Sequence, residues 1–276
     1  MANFRYLLPR LARHFMPDPI VRFFLNRGFI IRPGPETRVP LDALKRYQDA
    51  LDSFGASFSG KRVMLFGYGG NFAVGCHLLK LGATHVVLIE KEGFPNNRRN
   101  LELMAEFPDY LIMEGETLKP RPDCGTLLYG DIRAMAKNGV LPPVDLVLSS
   151  SVYEHLDDVE GITEALATHT VAGGAQLHFI DLRDHFFKYP FEMLCYSEAT
   201  WSNWLNPTSN HNRYRLLDYE RVFKTYFQEV KVKVTGSDPA AFEKARRRIR
   251  PEFLSGDPAI DAVTLATVYV ALPKSS

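Results

Sequence analysis

The chain has 276 residues, of which 46% are hydrophobic and 24% charged, and its formal net charge is +1. That length supports one sizeable core, and the near-neutral balance gives no global pull toward nucleic acid or an anionic membrane surface. Cys76, Cys124 and Cys195 are far apart and show no zinc spacing, so free thiols in a reducing cytoplasm are expected; no apolar run approaches the ~20 residues of a membrane span.

Residues 1–35 carry Arg5, Arg10, Arg13, Arg22, Arg27 and Arg32 against the single acid Asp18. Apolar residues lie between them, in two short amphipathic pieces broken by Pro9, Pro17 and Pro19. A helical cap over the active site, or a dimer contact, is expected here. A membrane-surface helix or a transit segment fits less well, because the Phe-rich second piece runs on into ordinary globular sequence. Residues 32–35 read as a linker, and 40–54 as a helix.

From residue 61 strands and helices alternate, which predicts a parallel α/β sheet. Strands are expected at 63–66, 85–89, 126–129, 144–148 and 175–180. Helices are expected at 71–81, 95–106, 133–137 and 157–171, the last closed by Gly173 and Gly174. Residues 110–122 read as an irregular surface excursion. After Asp181 comes an aromatic-rich stretch, 182–215, read as a lid past the carboxyl end of a strand, where open α/β sheets bind ligands. A helix (217–226), a strand (229–234), a basic helix (240–248) and a final strand (263–272) complete the chain.

The densest signal is the run 62–90. A buried strand enters the tight turn Gly67-Tyr68-Gly69-Gly70, a short apolar helix follows, and a second strand ends on Glu90. An acid about twenty residues beyond the glycines suits ribose hydroxyls. A dinucleotide fingerprint would need Gly or Ala where Phe72 stands, and no P-loop Gly-Lys-Ser/Thr follows. The turn therefore lets backbone approach an adenosine-containing ligand without calling for a pyrophosphate.

Over about residues 40–235 the sequence resembles the class I S-adenosylmethionine-dependent methyltransferases. The resemblance rests on Val63-Met64-Leu65-Phe66-Gly67-Tyr68-Gly69-Gly70-Asn71, on Glu90, on Asp131-Ile132, on Ser149-Ser150-Ser151-Val152-Tyr153-Glu154-His155 and on Val171-Ala172-Gly173-Gly174. It implies a Rossmann-like, mostly parallel seven-stranded sheet with helices on both faces, a cap over 1–57 and a catalytic domain over 58–276. It implies S-adenosyl-L-methionine as cofactor, bound by Gly67, Tyr68, Gly69, Asn71, Glu90, Asp131, Ile132, Ser149 and Ser150. It further implies methylation of a small metabolite, as in bacterial secondary metabolism. The chain departs from the family at Leu65, where an acid is usual, and at Asn71, where a third glycine is common.

Methyl transfer from a sulfonium needs alignment and exclusion of water more than covalent help. A hydroxyl or amine acceptor adds a need for a base, and His155 and His185, with Tyr153, are the catalytic candidates after the fourth and fifth strands. Arg183, Asn212, Arg213 and Tyr214 offer donors for an acceptor carboxylate or phosphate. His178 and Asp181, three apart in a strand, face opposite ways, so no metal is expected from them with His185. The run Arg246-Arg247-Arg248-Ile249-Arg250 reads as a solvated face, not a nucleic-acid contact. Two other readings stay open: a relative that cyclises S-adenosylmethionine to azetidine-2-carboxylate with release of methylthioadenosine, and a non-catalytic partner subunit.

Overall fold

The computed structural model describes residues 3–16, 39–91, 97–186, 188–206 and 211–274. The second N-terminal piece, the linker at 32–35 and the predicted helix start at 95 lie outside the described residues. Nine strands are present among them: β1 (Arg62–Phe66), β2 (His85–Glu90), β3 (Leu111–Glu114), β4 (Thr117–Pro120), β5 (Gly125–Tyr129), β6 (Val144–Ser150), β7 (Thr170–Asp181), β8 (Phe227–Ser237) and β9 (Val263–Pro273). Seven form one sheet in the order β5-β2-β1-β6-β7-β9-β8. The first five of these are parallel, and β9 runs antiparallel to both β7 and β8.

Alternation along the strands sorts the core into two layers. Val63, Leu65, Leu88, Leu148 and Leu177 face one side, where they meet Leu44, Tyr47 and Leu51 of α2 (Pro40–Ser53) and Val74 and Leu78 of α3 (Ala73–Lys80). Met64, Phe66, Val87, Ile89 and Val147 face the other. There they meet α5 (Ile132–Lys137), α6 (Val159–Thr168) and α7 (Leu216–Tyr226). The helix α4 (Asn97–Leu103) follows β2. Thus α2, although it precedes the first strand, shares a core with the sheet.

Two elements differ from expectation. Residues 110–122 are not irregular: β3 and β4 form a two-stranded antiparallel hairpin, its register set by Leu111 opposite Pro120. The helix predicted over 157–171 stops at Thr168, and Gly173 and Gly174 lie inside β7. A Cβ on Gly174 would sit 2.9 Å from the Asp145 carbonyl oxygen, so the glycine there serves close backbone approach between strands rather than a helix end.

A third, smaller core lies over the carboxyl end of the sheet. It joins α1 (Phe4–His14), the lid and α8 (Pro239–Arg246) through Tyr6, Phe191, Met193, Trp201, Leu205 and Phe242. Tyr6 stacks on Tyr196 at 5.8 Å and donates its hydroxyl to the fully buried Asp184 carboxylate. Arg10 pairs with the same carboxylate, donates to the Leu205 carbonyl at 2.6 Å and lies over the Trp201 ring at 4.8 Å. Removing one partner of a buried charge pair leaves the other uncompensated, typically at about 3–5 kcal/mol. We therefore expect Asp184→Ala to lower unfolding free energy in urea by that amount. It should also expose α1 to trypsin at Arg5, Arg10 and Arg13 under native conditions; protection equal to that of the unsubstituted chain would show that the carboxylate does not hold the helix.

Candidate active site

The bend after β1 is fixed by close approach. Gly67 has φ +77°, and a Cβ there would lie 2.4 Å from Val152 Cγ2. Its N–H donates to the Ile89 carbonyl at 2.9 Å, joining the bend to β2. Gly69 N–H donates to Glu90 Oε2 at 3.0 Å, which aligns the acid with the turn. Asn71 is buried, and its Oδ1 accepts the Ala73 N–H at 2.8 Å, bracing the start of α3. Tyr68 points its ring into the core, stacked on Phe72 at 5.9 Å, with its hydroxyl 2.7 Å from that of Tyr129. Burial, then that hydrogen bond, raises the Tyr68 pKa. Tyr68 and Asn71, expected to touch cofactor, therefore support the turn with their side chains.

One residue that clamps this turn went unnoticed in the sequence. Asn100, on α4 and fully buried, accepts the Phe72 N–H at 3.0 Å and donates to the Gly70 carbonyl at 2.9 Å. Its signal was one polar residue in a helix nearly thirty positions downstream, which spacing alone does not distinguish.

The bend opens on a cleft of about 520 Å³ whose lining includes Phe66, Gly67, Glu90, Asp131, Ile132 and His155. Asp131 caps α5: its carboxylate takes the backbone N–H and the Nε–H of Arg133, each at 2.9 Å, and a further bond from Nη2. Those hydrogen bonds hold its pKa down to about 2. Arg133 also reaches Asp158 at 2.8 Å, and Lys91 meets Asp157 at 3.0 Å, making a charged rim.

Ser149 and Ser150 are not in that lining. Consecutive in β6, they face opposite layers: Ser149 Oγ is 2.7 Å from His178 Nδ1, and Ser150 Oγ accepts from Arg46 of α2. Arg46 lies 4.2 Å from the Phe179 ring centroid, beside a second cavity of about 580 Å³ between α2 and the β7–β9 side of the sheet.

Past β6 the chain turns through Ser151, whose φ of +53° is costly for a residue with a side chain. The turn Tyr153–His155 follows. Tyr153 is fully buried against His178 at 4.5 Å and Phe223 at 5.1 Å, so it belongs to the core and not among catalytic groups. Glu154 is buried, with no hydrogen-bond partner at either side-chain oxygen, and burial keeps it protonated well above the usual carboxyl range. His155 comes out into the cleft, where it meets two lid imidazoles, His185 at 4.8 Å and His211 at 4.9 Å between ring centroids; those two are 4.2 Å apart. Burial and the neighbouring imidazoles hold His185 near a pKa of about 4 and His211 near about 2. His211 was not singled out in the sequence, because chain separation hides its approach to the other two.

The residues expected to bind acceptor are mostly struts. Asn212 donates to the carbonyls of Tyr153 (2.7 Å) and Leu156 (3.2 Å), and accepts from Tyr219 at 3.0 Å. Arg213, at φ +63° and buried, donates to the Met193 and Tyr196 carbonyls and pairs with Glu198. Tyr214 donates to Glu160 at 2.8 Å. Arg183 makes a two-pronged pair with Asp181, at 2.9 and 2.7 Å. Of the lid aromatics, Phe186, Tyr189, Tyr196 and Trp201 pack around Tyr6 or within the lid core, so they brace the lid; none of them lines the cleft.

No family model and no curated protein matches the chain. Solved structures do. A Haemonchus contortus phosphoethanolamine N-methyltransferase 2, in complex with S-adenosyl-L-methionine, aligns at TM-score 0.51 and 14% identity over 83% of this chain. The chain spans about half of that enzyme, 53% of its length. An O-methyltransferase family protein from Burkholderia thailandensis aligns at TM-score 0.52 and 11% identity, over 99% of this chain and 70% of that one. The fold is a methyltransferase fold. Among the described residues no helix is long and apolar enough to cross a membrane.

The buried imidazole of His178, between Ser149 and Gln176 Oε1 at 2.9 Å, has a pKa driven down to about 3 by burial. Between that value and about 6.5, the unfolded histidine binds a proton that the folded one refuses, so stability falls as pH falls. For His178→Gln the stability deficit against the unsubstituted chain should shrink by about 2 kcal/mol between pH 7.5 and pH 5, measured by denaturant titration. A deficit that stays constant would mean that the imidazole takes up its proton in the fold as readily as in the unfolded chain.

Proposed function

We propose that the chain is an S-adenosyl-L-methionine-dependent methyltransferase acting on a small metabolite. The observation that carries this reading is the convergence of Gly67, Glu90, Asp131 and His155 on one cleft. Glu90 is assigned to accepting two ribose hydroxyls. Ile132 is assigned to the apolar face against adenine, and the Asp131 carboxylate keeps one acceptor site on Oδ2 beyond those used by Arg133, suited to the adenine amino group. Gly67, kept bare by Val152, lets the first turn lie against the second at the wall of the cleft.

The bound sulfonium supplies an already activated methyl group; the chain supplies position and a dry, uncharged setting. The lid side is suited to the second part. His185 and His211 are held neutral near pH 7, so they add no positive charge against a cationic donor; imidazoles so weakly basic suit contact with the acceptor rather than removal of its proton. His155 and His185 are assigned to the acceptor side. Arg183 is assigned to its edge, while Asn212, Arg213 and Tyr214 are assigned to holding the lid. In-line displacement needs acceptor and methyl carbon held about 3 Å apart, which a lid pinned on both sides of the cleft favours.

Calorimetry with S-adenosylhomocysteine should show one site per chain, weakened about 10- to 100-fold in Glu90→Ala, as expected for loss of hydrogen bonds to a charged group. With methyl-labelled cofactor and a metabolite extract, label should move to a small acceptor. Methylthioadenosine released from S-adenosylmethionine alone would replace this reading with the cyclising reaction, and absence of binding by either nucleoside would remove both.

A further inference from the structure

We propose that His155, His185 and His211 form a binding site for a zinc-class divalent ion at the junction of the cleft and the lid. Among the described residues this is the group of His, Cys, Asp and Glu whose ligand atoms come together, all within 4.8 Å of one another. Around a tetrahedral zinc, nitrogens bonded at about 2.0–2.1 Å stand about 3.3 Å apart. Rotation of the three imidazoles by roughly an ångström closes the difference.

Two observations separate this cluster from ordinary aromatic packing. His211 is 3% exposed and its Nε2 has no hydrogen-bond partner. A buried imidazole nitrogen without a partner is costly, and coordination removes that cost. The cluster is also held from behind. The His211 backbone N–H donates to Asn206 Oδ1 at 3.0 Å, and its carbonyl accepts from Trp201 Nε1 and Asn206 Nδ2, each at 3.1 Å. His155 is fixed by its turn, with its N–H on the Val152 carbonyl at 2.9 Å. Such backbone anchoring is what keeps a ligand set from collapsing when no ion is bound.

The donor set selects the ion. Three imidazoles without a carboxylate suit zinc, iron, cobalt or nickel and not magnesium or calcium. Three protein ligands also leave a fourth position for water or substrate, as in catalytic rather than structural zinc sites. The nearest arginines, Arg10 and Arg183, are each paired with an aspartate, Asp184 and Asp181. An ion there therefore meets little uncompensated positive charge.

The role of the ion, though not its binding, rests on the methyltransferase reading above. An acceptor hydroxyl in the fourth position would lose its proton to solvent more readily than a free one. Its oxygen would then form the O–C bond as the C–S bond breaks, with that electron pair leaving on sulfur as a neutral thioether. The chemical class implied is a hydroxylated metabolite able to coordinate through oxygen.

The test uses the full chain stripped with chelator, titrated with Zn2+ by calorimetry and with Co2+ by visible absorption. We expect one ion per chain and the intense bands of low-coordinate cobalt bearing nitrogen ligands. His211→Ala and, separately, His185→Gln should each weaken Zn2+ binding by more than about a hundredfold. His169→Ala, whose imidazole bonds the Ala165 carbonyl on a distant helix end, should leave it unchanged. S-adenosylhomocysteine binding, measured on every variant, reports folding and the cofactor reading independently. Weak Zn2+ binding that is equal in all variants, or none in a chain that binds the nucleoside, overturns the metal site while leaving the cofactor assignment intact. Tight, histidine-dependent Zn2+ binding in a chain blind to the nucleoside would support the site and remove the role given to the ion.

Discussion

The contact between Gly67 and Val152 is the constraint from which the rest of the site is built. It joins the exit of β1 to the exit of β6, two neighbouring parallel strands, at the point where both chains leave the sheet. With no Cβ at 67 the first turn lies flat against the second, and the space above them stays open as a cleft. Ser151 contributes from the other side by adopting a left-handed conformation, a local cost that a packed scaffold tolerates where a chain must be re-aimed. After that corner the chain sends Tyr153 down into the core and His155 up to the cleft. A single backbone reversal thus separates a core aromatic from a cleft-lining imidazole two positions away.

The polar groups beneath the cleft follow a consistent logic of satisfaction. Ser149, His178, Gln176 and Thr170 form a chain of hydrogen bonds ending on the Leu166 carbonyl. Fully connected buried networks of this sort rigidify the layer that carries them. Elsewhere the pattern changes: Glu154 and His211 carry buried, unpaired side-chain atoms, as do Arg10, Arg13, His14, Arg46 and Arg213.

Much of the sheet was legible because period-2 burial and the Gly-x-Gly-Gly turn are local signals. Gly67, Glu90, Asp131 and Ile132, proposed for the cofactor side, stand out for the same reason, since each lies at or just past the carboxyl end of a parallel strand. Ser149 and Ser150 lie outside that cleft's lining because motif membership says nothing of which face a strand residue takes; alternation sends one to each layer. Asn212, Arg213 and Tyr214 bond to protein groups, which spacing does not foretell because donors near a lid look alike whether they hold a ligand or a carbonyl. Arg213 spends its guanidinium on the Met193 and Tyr196 carbonyls and on Glu198. Asn100, Arg46 and His211 were invisible, being single residues whose roles arise only when distant segments meet. The hairpin at 111–120 lacked alternation strong enough to show against its prolines and charges.

Asp184 and His185 are adjacent in the chain, yet one is gripped by the amino-terminal helix and the other belongs to the imidazole cluster. The first turns of the polypeptide therefore act at a distance on the most chemically loaded corner of the molecule. Whatever shifts that opening helix, whether a ligand, a cut or a neighbouring protein, moves an imidazole with it. The amino-terminal helix and the partly buried imidazole of His185 are thus joined through one peptide unit.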